Sequence, residues 1–175
     1  AETGKFDFYN RVVPYADQGE ATVYGHLKQA LLFNLERMGA NGLPCGLLAD
    51  WNDCLKLGYH GESLFVAFQL RIGLTTYADI STRLGKEDEA KWALAERDKL
   101  DANIQKKCWD GKWFVWAIAE DGTVYGTHTI EEGQIYFNTQ VWAVMSGAAT
   151  PEQMKECLES VKEKLATPYG LMLCA

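Results

Sequence analysis

A chain of 175 residues with 47% hydrophobic and 12% aromatic content is long and apolar enough to bury one core, and too apolar for a disordered segment. A net charge of -7 without a Lys/Arg cluster argues against a nucleic-acid or anionic-membrane surface and leaves small ligands as the expected partners. Cys45, Cys54, Cys108, Cys157 and Cys174 form an odd set without C-x-x-C spacing, which suits a reducing compartment; with no signal-peptide pattern and no long apolar run, the expected location is the cytoplasm.

Residues 1–20, with Pro14, Asp17 and Gly19, read as an entry loop. From Ala21 onward, Val23, Leu27, Leu31, Leu35 and Met38 share one helical face, and Gly39 is placed to end that helix as a C′ glycine. Residues 40–61 contain Gly42, Pro44, Gly46, Gly58 and Gly61 and read as a loop. Within it, Asp50-Trp51-Asn52-Asp53 crowds two carboxylates, an indole and a carboxamide into four positions, which points to a site held by the flanking scaffold.

Glu62 to Leu84 is apolar nearly all round, as expected of a helix buried on several sides. Lys86 to Lys107 is dense in charge, with a thin stripe of Ala90, Leu94, Leu100 and Ile104, and reads as an outer helix. Trp113 to Ile118, the Asp121-Gly122 turn and Thr123-Val124-Tyr125 predict a small hairpin. Gln134 to Ser146 predicts another buried helix ended by Gly147. Thr150-Pro151-Glu152-Gln153 is a capping box opening a last helix that buries Met154, Cys157, Leu158, Val161 and Leu165. Buried and surface helices alternate, so the fold class is mainly all-α, with helical hairpins stacked in a double layer or toroid.

The remaining polar and aromatic candidates have plainer readings. His26, His60 and His128 lack H-x-x-x-H spacing, and no metal site is expected. The Glu131-Glu132 pair stands just before a predicted helix and suits dipole complementarity there better than a second acidic site. Trp113 and Trp116 read as packing residues before they read as sugar platforms. Asp50 reads first as a loop hydrogen-bonding residue.

Three ordered blocks carry a resemblance: Thr22-Val23-Tyr24-Gly25-His26-Leu27, then Ala49-Asp50-Trp51-Asn52-Asp53-Cys54-Leu55 with Gly61-Glu62-Ser63, then Glu131-Glu132-Gly133-Gln134-Ile135. Over about Val12 to Leu173 the chain resembles the inverting disaccharide phosphorylases of glycoside hydrolase family 94, typified by cellobiose phosphorylase. The resemblance implies part of an (α/α)6 barrel catalytic domain, residues 1–175 being a portion cut at both ends relative to the family. It implies phosphorolysis of a β-linked glucose disaccharide such as cellobiose, with inorganic phosphate as co-substrate, no other cofactor, and a homodimer for the full-length protein.

By this resemblance Asp53 is the general acid that protonates the glycosidic oxygen. Trp51, which also matches the family motif, lines the sugar subsite; from the chemistry of the block itself, Asn52 is a candidate to orient Asp53 or a hydroxyl, and Asp50 a candidate neighbour that would help Asp53 keep its proton. Phosphate is itself an anionic nucleophile, so the second carboxylate that an inverting hydrolase uses on water is unnecessary. The family's phosphate-binding histidine and threonine belong to later blocks that do not occur here, so the expected polypeptide is inactive by itself. Two alternatives stand beside this reading: an (α/α)6 inverting hydrolase with Glu62, Glu131 or Glu132 as base, and a non-catalytic helical module.

Overall fold

The computed structural model describes residues 4–47, 50, 52 and 56–175. A 3-10 turn at Phe6–Asn10 leads into β1 (Val12–Pro14) and β2 (Glu20–Thr22), an antiparallel hairpin where the sequence predicts an open entry loop. Gly19, at φ 80°, and the Tyr15 N–H bond to Gly19 O close its turn. α1 (Val23–Leu35) starts at Thr22, whose hydroxyl accepts from Gly25 N.

α1 ends well short of Gly39, which has another task. A Cβ there would come within 2.4 Å of Glu62 Cγ, so glycine is required by close packing and not by a helix stop. Of the predicted apolar face only Leu31 is fully buried, and Leu27 is 37% exposed.

β3 (Glu62–Ser63) runs directly into α2 (Leu64–Arg83). α2 is buried on several sides through residues such as Leu64, Phe68, Leu74 and Tyr77, as its nearly all-round apolar sequence requires, and exposes Gln69, Thr75, Thr76 and Asp79. α3 (Glu87–Cys108) lies against it with acidic residues in its first turn and Lys106 and Lys107 in its last, an arrangement that complements the helix dipole. Its buried stripe takes Ala93, while Leu94, expected inside, is 36% exposed.

β4 (Ala117–Ile118) and β5 (Val124–Tyr125) form the predicted hairpin around Gly122. The other edge of β4 pairs with β3, Ser63 opposite Ala117, giving the sheet order β3-β4-β5 that the sequence did not reveal.

α4 (Phe137–Met145) is shorter than predicted, because residues 135–137 pair their backbone with the C-terminal segment: Ile135 exchanges bonds with Ala175, and Phe137 N donates to Leu173 O. α5 (Pro151–Leu165) opens with the predicted capping box, the Thr150 hydroxyl on Gln153 N and the Gln153 side chain on Thr150 N. It buries Cys157, Ser160, Val161 and Leu165, a stripe that leaves Leu158 54% exposed. β6 (Ala166–Thr167) and β7 (Gly170–Leu171) make a last tight hairpin.

The helices form two layers. α2 and α4 pack side by side, α3 backs α2, α5 backs α4, and α1 lies on α2. The protein is thus mainly helical, with the paired inner and outer helices of part of an (α/α)6 barrel. Among the described residues no helix is long and apolar enough to cross a membrane.

Candidate functional site

The loop between α1 and α2 is tied at its base. The Cys45–Glu62 bridge, the Gly46 N–H bond to Gly61 O at 3.0 Å and the Ser63 N–H bond to Pro44 O at 3.1 Å bring its two ends together. Leu47 enters it at φ 56°, a left-handed conformation unusual for a branched side chain and strained where it occurs. The sequence-predicted residues Asp53 and Trp51 lie outside the described residues. Asn52 is half-buried.

Asp50 is 7% exposed and anchored: the Ser63 hydroxyl donates to Asp50 Oδ1 at 2.7 Å. The same hydroxyl accepts from Val66 N as the N-cap of α2, so its proton is directed to the carboxyl group. Asp50 Oδ2 is buried without a hydrogen-bond partner among the described residues. The loop hydrogen-bonding reading of Asp50 therefore describes one of its oxygens and leaves the other open.

Glu62, the first-named base of the hydrolase alternative, is occupied. Its Oε1 accepts from Asn41 N and Leu43 N at 2.9 and 3.0 Å, and its Oε2 from Asn41 Nδ2 at 2.6 Å, all in a residue 2% exposed. It fastens the turn after α1 to the start of α2. Glu131 and Glu132 are exposed in the loop ahead of α4, which begins only at Phe137 and has no acidic residue in its first turn. The dipole-complementarity reading of that pair does not hold, since the intervening residues form backbone pairs with the chain end.

A second tie fixes the 126–136 segment beside the site. Asp110 Oδ1 accepts from Lys112 N and Trp113 N, and its Oδ2 from His128 N and the Thr127 hydroxyl. His128 Nδ1 is 2.9 Å from Asp110 Oδ2 but out of hydrogen-bond alignment. Burial pushes the Asp110 carboxyl up, but the backbone donors of Trp113, His128 and Lys112 outweigh it and hold the group below its ordinary range. Trp113 Nε1 donates to both Gly126 O and Gln134 O, so this indole is a buried brace. The segment delivers Tyr136, whose ring lies 3.9 Å from that of Trp116. Trp116 is 1% exposed, and its backbone O accepts from Leu64 N at the head of α2.

His26 bonds Val13 O and packs on Tyr15, and His60 is exposed beside Tyr59. Among the described residues no group of three His, Cys, Asp or Glu is placed to hold a metal ion. Burial raises the thiols of Cys108 and Cys157, the latter to about 12, so both stay protonated and inert.

Residues 1–175 match the family described as the glycosyl hydrolase 94 superfamily, catalytic domain. The N,N'-diacetylchitobiose phosphorylase of Vibrio proteolyticus is 38% identical over 99% of this chain and 22% of its own length. The solabiose phosphorylase of Paenibacillus borealis is 35% identical over 97% of the chain and 22% of its own length. The chain thus spans about a fifth of the length of these curated relatives. The crystal structure of a GH78 family rhamnosidase of Bacillus sp. GL1 superposes with a TM-score of 0.66 over 86% of this chain and 15% of its own, at 21% identity, a likeness of fold alone. The ordered blocks, the paired helical layers and the match over the whole chain lead to one conclusion: the protein belongs to the glycosyl hydrolase 94 superfamily, within its catalytic domain.

Proposed function

We propose that this chain is the proton-donating portion of a disaccharide phosphorylase. The observation that carries the reading is the family match along the whole chain, with its Trp-Asn-Asp block in the tied loop ahead of α2. Asp53 gives its proton to the glycosidic oxygen as the bond to the anomeric carbon breaks. Inorganic phosphate attacks that carbon from the opposite face, so a β-glucoside yields α-glucose 1-phosphate and a free sugar. Trp51, Asn52 and Asp50 contribute to the sugar subsite, and Asp50 Oδ2 supplies an acceptor for a sugar hydroxyl. No cofactor beyond phosphate is needed. Residues 1–175 are one part of the catalytic domain of a cytoplasmic, homodimeric protein, and are inactive by themselves.

Cellobiose is the first substrate to test. N,N'-diacetylchitobiose is the second, favoured by the 38% identity to a phosphorylase named for it. In a full-length protein carrying this chain, release of sugar 1-phosphate should require phosphate, and Asp53→Asn should lower kcat about 10²–10⁴-fold while leaving disaccharide binding intact. Undiminished turnover without phosphate would favour a hydrolase. Unchanged phosphorolysis in Asp53→Asn rejects the acid assignment.

A further inference from the structure

The heads of α2 and α4 hold a set of buried polar atoms that the fold leaves unused. Asp50 Oδ2, Trp116 Nε1, Asn138 Nδ2 and Thr139 Oγ1 are each buried and have no hydrogen-bond partner among the described residues. Asp50, Trp116 and Thr139 are 7%, 1% and 0% exposed as whole residues. All four lie close to two helix starts: Asp50 is bonded to Ser63, the N-cap of α2, and Asn138 and Thr139 are in the first turn of α4. Trp116 joins the two, with its backbone O on Leu64 N and its ring against Tyr136, the N-cap of α4. One turn further into α4, Trp142 meets Phe65 of α2 edge to face at 5.2 Å, which places the first turn of α4 at the head of the α2–α4 seam.

Buried polar groups are ordinarily paired, and several orphans on residues linked through two neighbouring helix starts call for a missing partner. Their chemistry is complementary. A carboxyl oxygen accepts, the indole and carboxamide N–H groups donate, and a threonine hydroxyl does both. A sugar hydroxyl, which donates one hydrogen bond and accepts others, satisfies such a set, and the aromatic rings beside it suit the apolar face of a pyranose. Tyr136, the N-cap residue of α4, makes no side-chain cap; the first-turn donors Phe137 N and Thr139 N go to Leu173 O and Asn138 Oδ1, which leaves Asn138 Nδ2 and Thr139 Oγ1 as the unused groups of that turn.

We infer that the first turn of α4, through Asn138 and Thr139, forms a sugar-hydroxyl subsite with Asp50 and Trp116 at the head of the α2–α4 seam. The inference rests on the carbohydrate-active reading of the loop and extends it to a helix about 85 residues further along the chain. Thr139 is the discriminating position, because valine keeps its shape and removes only the hydroxyl, whereas serine keeps the hydroxyl.

In a full-length protein carrying this chain, Thr139→Val should raise KM for the disaccharide about tenfold, and Thr139→Ser should stay within about threefold of the parent. Asn138→Ala should behave like Thr139→Val. Equal KM for Thr139→Val and Thr139→Ser overturns the subsite, whatever their melting temperatures, and indicates an internal orphan or a buried water. Should the parent fail to use phosphate, the phosphorolysis reading fails alone; the subsite is then judged by the same ranking of variants in the disaccharide dependence of tryptophan fluorescence.

Discussion

Two buried carboxylates shape the surroundings of the site without being candidates for its chemistry. Glu62 accepts three hydrogen bonds from Asn41 and Leu43, and truncating it strands those donors in a closed space. Glu62→Ala should therefore cost about 2–4 kcal/mol, read as a lower urea midpoint with an unchanged m-value. Asp110 makes a different prediction. Its folded pKa is depressed, so its contribution to stability is fully present above the unfolded value of about 3.9 and is lost as pH falls through the folded value. Asp110→Asn should be less stable than the parent at pH 7, and the gap should narrow below about pH 4; a gap constant with pH would contradict the assignment. Neither role was legible in the sequence. The partners of Glu62 lie about 20 residues upstream, and those of Asp110 include the backbone and hydroxyl of a loop about 17 residues downstream, so each looks like an ordinary acidic residue until the chain folds. Asp50 was legible as polar and loop-borne, but its anchoring to Ser63 was not.

At the level of elements, the signals that the sequence carried best were local ones. The Thr150–Gln153 box is built as its spacing requires, and Thr150→Ala should destabilise the protein by about 1 kcal/mol, measurable by thermal or urea unfolding. The Asp121-Gly122 turn and the burial of α2 on several sides were equally readable, because both are written in consecutive residues. Elements decided by distant backbone were not. α4 starts late because residues 135–137 are taken up by the chain end, and β3 exists only because β4 arrives beside it. The start of the chain reads as open loop because the three-residue strands of β1 and β2 are too short to show alternation.

For the whole molecule, the alternation of apolar and charged helices correctly foretold two layers, with α2 and α4 inside and α3 and α5 behind them. Cys108 and Cys157, both 0% exposed, sit within this packing. Peptide-resolved alkylation should label Cys174, the exposed member of the described thiols, at once, and Cys108 and Cys157 only at the rate of global opening. Faster labelling of Cys157 than of Cys108 would show that α5 detaches before α3. The apolar groove of about 280 Å³ between Leu27, Leu31, Gly73 and Ile80 follows from α1 packing closely on α2, where a Cβ on Gly73 would approach Leu31 Cδ2 to 3.0 Å.

The tied base of the α1–α2 loop bears on how the protein tolerates changes in loop length. The backbone bonds of residues 44–46 to 61–63 and the Glu62 fastening close the base of the loop, and from within it Leu57 O accepts from Glu120 N and Asp50 from the Ser63 hydroxyl. Closing a longer or shorter excursion costs only a slowly growing entropy. The loop thus stands on a fixed socket, and a change of its length is felt at Asp50 and Leu57 before it reaches the helices beneath.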